Sequence, residues 1–162
     1  MTVIIVLLIL LALAGLFALG VGAALSHVEP SKLDGAVDGV LRVSDGGMFA
    51  VDVVGEGYYQ GVLGSIVGGK TEDSVEHACT ARIIAEPDNA YDANAQGVWI
   101  KGQKVGHLSR ADALALARQR ARSSGGSAAI ECRALVVGGW KTGRSEGHFG
   151  VRLDLPYDLL GG

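Results

Sequence analysis

The loop Glu86-Pro87-Asp88-Asn89-Ala90-Tyr91-Asp92-Ala93-Asn94-Ala95 places Asp88, Asn89, Tyr91, Asp92 and Asn94 within seven positions. Such a loop either builds a rigid turn or holds a ligand. The ligand chemistry is specific. Tyr91, and Tyr58 with its neighbour Tyr59 earlier in the chain, offer flat faces on which unpaired bases stack, at about 1–3 kcal/mol per base. Asp92 is an acceptor to which a terminal sugar hydroxyl can donate, and an internal phosphodiester offers no such donor. Asn89 has the donor and acceptor needed to read a base edge. Downstream, His107 and Arg110 can neutralise a phosphate or two. The alternative is purely architectural: the Asp and Asn side chains at 88, 89, 92 and 94 close Asx-type turns while Tyr91 plugs a core.

The elements that must position these groups read as short strands. Cys79, Ala81, Ile83 and Ala85 alternate with polar residues before the loop. Gly97–Ile100, a turn at Lys101-Gly102-Gln103, and Lys104–Leu108 follow it. Phe49, Val51 and Val53 share one face of an earlier strand. Ile130, Cys132, Ala134 and Val136 repeat the pattern, and Phe149, Val151, Leu153 and Leu155 close it, with Arg152 and Asp154 pointing away. One helix interrupts the series. Ser109-Arg110-Ala111-Asp112 is a capping-box-like start, ALALARQRAR follows, and Arg118, Arg120 and Arg122 spread around it as a solvated surface. Short strands at this spacing, in a chain with 25 glycines, suggest a small barrel or sandwich.

The amino-terminal run 2–25 is apolar apart from Thr2, and exceeds the roughly 20 helical residues needed to cross a bilayer. It reads as a single-pass membrane anchor; its length and the lack of a preceding Lys or Arg argue against a cleaved signal. Lys32 and Arg42 on its carboxyl side favour a cytoplasmic domain. Ala14, Ala18 and Gly22 form a small-residue stripe through which two such helices can approach, a route to a homodimer. Residues 26–47 read as a linker or a loose leading strand, and 48–157 as the folded domain.

The stretch EPDNAYDANAQGVWIKGQKVGHL resembles the HIRAN domain, whose signature joins a P-x-N-x-Y-D-x-N-A loop to a VG-[YH]-L strand before a helix. Val54-Gly55-Glu56-Gly57-Tyr58-Tyr59 is similar to the family's earlier V-G-x-x-Y-Y segment. The likeness covers roughly Met48 to Leu155. It implies a mainly β fold with one or two helices, a small OB-like β-barrel, that binds single-stranded nucleic acid and captures the 3′-hydroxyl end of DNA. By position it implies binding roles for Tyr58, Asn89, Tyr91, Asp92, His107 and Arg110, with Tyr59 and Asn94 beside them. The chain departs at Gly57 from the best-understood member of the family, which has a basic residue there.

Other patterns compete. Gly64-Ser65-Ile66-Val67-Gly68-Gly69-Lys70-Thr71 matches the phosphate-cradling GxxxxGK[ST] letter for letter. That mechanism needs a buried strand before the loop and a helix after it, so the expectation is a coincidental match: a flexible glycine hairpin with Lys70 in water. Cys79, Cys132, His77, His107 and His148 are zinc-binding types, yet no two have zinc-knuckle spacing, so no cofactor is expected. Asp92-x-Asn94-x-Gln96-Gly97 begins like a calcium loop, but Gln103 stands where a bidentate Glu is required. No nucleophile–base set has recognisable context, so catalysis is not expected. The net charge of -3 argues against bulk electrostatic coating of nucleic acid. Two further classes of role remain: a tethered protein-interaction module with a structural loop, and an accessory to a nucleotide-hydrolysing helicase system.

Overall fold

The computed structural model describes residues 39–123 and 128–161. The apolar run 2–25, its stripe at Ala14, Ala18 and Gly22, and residues 26–38 lie outside them. Among the described residues no helix is long and apolar enough to cross a membrane.

Seven strands form one sheet: β1 (Val40–Arg42), β2 (Val51–Asp52), β3 (Val75–Ala85), β4 (Gln96–Ile100), β5 (Gln103–His107), β6 (Ala129–Gly138) and β7 (Phe149–Leu153). The order is β2-β7-β6-β3-β4-β5, antiparallel throughout, and β1 runs parallel to β6 beside Ala129–Glu131. Residues 40–42 thus take the leading-strand alternative. The sheet curls until its two ends meet. Val54, just past β2, exchanges backbone hydrogen bonds with His107 at the end of β5, at 2.8 and 2.9 Å. Gly106 makes that approach possible: a Cβ there would meet Val53 Cγ1, and would lie 2.6 Å from the Val54 carbonyl oxygen.

Period-two alternation in β3, β4, β6 and β7 turns Ala81, Ile83, Val98, Ile100, Cys132, Ala134, Val136, Val151 and Leu153 into the core. Helices α1 (Gln60–Val67) and α2 (Arg110–Arg122) add Leu63, Ile66, Ala113 and Leu116 to it. The mainly β fold with two helices agrees with expectation. At the start of α2, Ser109 Oγ accepts from the Asp112 backbone N–H at 3.2 Å and donates to its carboxylate at 2.6 Å.

Five local expectations are corrected. The GxxxxGK[ST] segment is not a glycine hairpin: residues 64–67 complete α1, and Gly68 ends it in the left-handed conformation at φ 92°. The helix precedes Lys70 instead of following it, so the phosphate-cradling geometry is absent from this segment. Lys70 is not in open water either, lying 3.4 Å from Glu146 and over the Phe149 ring. Phe49 is not part of the strand; its φ is 46°, and Arg133 stacks on its ring.

Asp154, expected on the outer face, is fully buried. β7 ends at Leu153, so strand alternation stops there. The carboxylate accepts from Ser44 Oγ at 2.6 Å, from the Asp45 and Gly47 N–H groups at 3.1 and 2.8 Å, and from Arg133 at 2.9 and 3.0 Å. Arg120 is not a solvated surface residue. Its guanidinium turns inward and donates to the carbonyls of Ala128 at 2.6 Å and Ile83 at 3.2 Å. This ties α2 to the ends of β3 and β6.

Candidate functional site

The loop between β3 and β4 is built by its own side chains. Asn89 Oδ1 accepts from the Tyr91 and Asp92 N–H groups at 3.0 and 3.3 Å. Asp92 Oδ1 accepts from the Asn94 N–H at 2.9 Å and the Asn94 amide at 3.3 Å. Backbone bonds Glu86 N–H to Ala95 O, 2.9 Å, and Ala95 N–H to Asp92 O, 3.0 Å, close the base. These are Asx-type turns, as the architectural alternative supposed. The same alternative required Tyr91 to plug the core, and here the structure differs: Tyr91 is 93 % exposed. A loop with its polar side chains turned inward has pushed its aromatic ring into water.

Tyr58 matches it. It sits in a 3₁₀ turn, Glu56–Tyr59, that opens directly after the Val54–His107 bridge, and it too is 93 % exposed. Tyr59, next in the turn, is partly buried. The two protruding tyrosines therefore stand on segments that both converge on the end of β5, because the loop reaches the same strand through Glu86.

Glu86, at the start of the loop, is the hub, and its role is not legible in the sequence. Its carboxylate lies 2.6 Å from Lys104 Nζ, 3.1 Å from His107 Nε2, and accepts from Asn89 Nδ2 at 3.1 Å. Burial raises its pKa, but the donors from Lys104, Asn89 and His107 outweigh that and hold it below the usual carboxylate value. Register explains the convergence. Gly97 stands opposite His107, and a side chain at Gly97 would strike Glu86 Oε1. The only signal in the sequence is Gly97 itself, a strand residue without a side chain.

On the other side of the loop, Asp92 Oδ2 lies 3.6 Å from Arg110 Nε at the first residue of α2. The Arg110 side chain is 84 % exposed, and Asp92 is mostly covered. Structure thus brings together Asp92 with Arg110, and Glu86 with Asn89, Lys104 and His107. Asn89 and Asn94 both take part in the hydrogen bonds that hold the loop. Gly57 is exposed beside Tyr58, with nothing within 4 Å of where a Cβ would project. The calcium-like pattern is likewise internal: Gln96 is buried and donates to Asn94 O at 3.1 Å. Among the described residues no three His, Cys, Asp or Glu side chains converge as a metal set.

The geometry offers two aromatic faces, an acceptor oxygen beside an exposed guanidinium, and an imidazole fixed by a carboxylate. No curated protein and no solved structure matches the chain. The family model of the HIRAN domain matches residues 46–132, more than half of the sequence, and so spans the tyrosine turn, the loop, β5 and α2. The chain belongs to the HIRAN domain family.

Proposed function

We propose that this domain binds single-stranded nucleic acid and holds a free 3′ end. The observation that carries the reading is the pair of outward tyrosines, Tyr58 and Tyr91, each 93 % exposed on segments tied to the end of β5. A tyrosine so fully solvated contributes little to the fold, and two of them beside fixed polar groups match the way proteins stack unpaired bases. Membership of the HIRAN family supports nucleic acid as the ligand class. Asp92 supports the terminal position: Oδ1 is occupied by Asn94, and Oδ2 faces Arg110 at 3.6 Å, where a sugar hydroxyl can donate and the guanidinium can meet the adjoining phosphate. Asn89, with Oδ1 accepting twice from the backbone, serves as the loop's brace in this reading.

Fluorescence anisotropy of a labelled oligothymidine with the purified full chain, kept in detergent for its apolar amino terminus, tests the proposal. Binding should weaken with salt. Tyr91→Ala should reduce affinity by about 5- to 150-fold, the equivalent of one stacked base, with the thermal midpoint unchanged. Undiminished binding by Tyr91→Ala would refute the stacking role. On the same footing, the apolar run 2–25 is read as a tether holding the domain at a membrane, testable by carbonate extraction of the full chain.

A further inference from the structure

The outer face of the sheet carries a row of side chains that runs away from the loop site and starts at Lys104, the partner of Glu86. Lys104 stands opposite Trp99, Trp99 opposite Arg82, Arg82 opposite Glu131, and Glu131 opposite Arg42. Five strands each contribute one residue, so the row crosses about 19 Å at the usual spacing of roughly 4.8 Å between strands. Trp99 and its neighbours line a groove of about 680 Å³ that also includes Ile84, Thr80 and Lys101. Ile84 is 39 % exposed there, a large apolar side chain left to water beside an indole.

Two features set this groove apart from an ordinary solvated sheet face. The row that crosses it begins at the candidate site, one strand beyond Trp99. Lys104 is the residue that pairs with Glu86 at 2.6 Å, and the position a Gly97 Cβ would take lies 3.0 Å from Trp99 Nε1 and against Glu86 Oε1. Trp99 is also not there to complete a polar network: its Nε1 is buried with no hydrogen-bond partner among the described residues. A phenylalanine would avoid that cost of about 1–3 kcal/mol. What tryptophan adds is its wider aromatic face. Around it, Glu131 fixes Arg42 at 3.0 Å and Arg82 at 3.1 Å, one carboxylate between two guanidinium groups, which leaves that end of the row with net positive charge.

We propose that this face is the path of the rest of the strand: nucleotides on the 5′ side of the captured end run from Lys104 across Trp99, which stacks one base, towards Arg82. The inference rests on the function proposed above and extends it from an end-binding pocket to a track. The occupant follows from continuity with the loop site and from an aromatic face set between two cations, the pattern of single-strand binding surfaces.

The test compares oligothymidines of about three and about nine nucleotides, both ending in a 3′-hydroxyl, against the full chain by anisotropy. The longer one should bind at least about fivefold tighter, the equivalent of one stacked base. Trp99→Ala should abolish that gain and leave the affinity for the short oligomer unchanged, whereas Trp99→Phe should keep most of it. Should Trp99→Ala lose the short oligomer too, the exposed Arg82→Gln decides, and must lower the length gain at least about twofold. Equal affinity for both lengths, or a gain that survives Trp99→Ala or Arg82→Gln, overturns the track while leaving end binding intact. If neither length binds, the end-binding function fails and the track falls with it.

Discussion

Glu86 and His107, 21 positions apart in sequence, meet at 3.1 Å between a carboxylate oxygen and Nε2. A carboxylate held ionised can only accept, so Nε2 carries the proton and the ring is fixed in orientation. The same carboxylate anchors Lys104 and the Asn89 brace, so one side chain sets the loop, the strand end and the imidazole together. Glu86→Gln removes the charge but not the volume. It should lower stability by about 1.5–3 kcal/mol, the range for hydrogen bonds to charged groups, and weaken oligonucleotide binding several-fold. Chemical denaturation and anisotropy on the same variant check both effects.

Acid should unfold the domain through identified groups. Glu86 and Asp154 both have folded-state pKa values below their ordinary values of 4.5 and 3.8, since burial, which raises them, is outweighed by the donors they receive. A depressed carboxylate contributes its full stability above its unfolded value and loses it as pH falls through the folded one. Stability should therefore be flat above about pH 5 and fall progressively below about pH 4. The Glu86→Gln variant should show a shallower decline than the parent in a series of thermal melts, and an identical slope would contradict the assignment.

Gly57 gives a gain-of-function test. The position is exposed, adjacent to Tyr58, and open to a new side chain. It is also where the chain departs from the member of the family that the resemblance rests on, which has a basic residue there. Gly57→Lys should strengthen binding and steepen the dependence of log affinity on log salt by about one phosphate contact, with little change in melting temperature.

Much of the fold is legible in the sequence because period-two alternation is a direct consequence of one buried sheet face: Cys132, Ala134 and Val136, or Val151 and Leu153, sit where alternation places them. The failures have local causes. Gln60–Val67 contains Gly61 and Gly64, poor helix formers, yet Leu63 and Ile66 lie one turn apart on a buried face, and tertiary packing overrides propensity. Asp154 follows the last strand residue, where alternation no longer applies, and all its partners but Arg133 come from the 44–47 turn more than a hundred residues earlier. Arg120 looks like one of three dispersed helix arginines until β3 and β6 present carbonyls to it. In the site, the residues of the loop motif were readable, whereas Glu86 and Lys104 became visible only once the β4–β5 register placed Gly97 opposite His107.

The most direct measurement is a competition between two otherwise identical oligothymidines, one ending in a 3′-hydroxyl and the other in a 3′-phosphate, for the full chain. If the terminal hydroxyl donates to Asp92 Oδ2, the phosphorylated strand should bind about tenfold or more weakly, because an anion then faces a carboxylate and the hydrogen bond to a charged group is lost. In Asp92→Asn that discrimination should shrink towards unity. Equal affinity of the two strands for the unmodified chain would contradict capture of a 3′ end at this site.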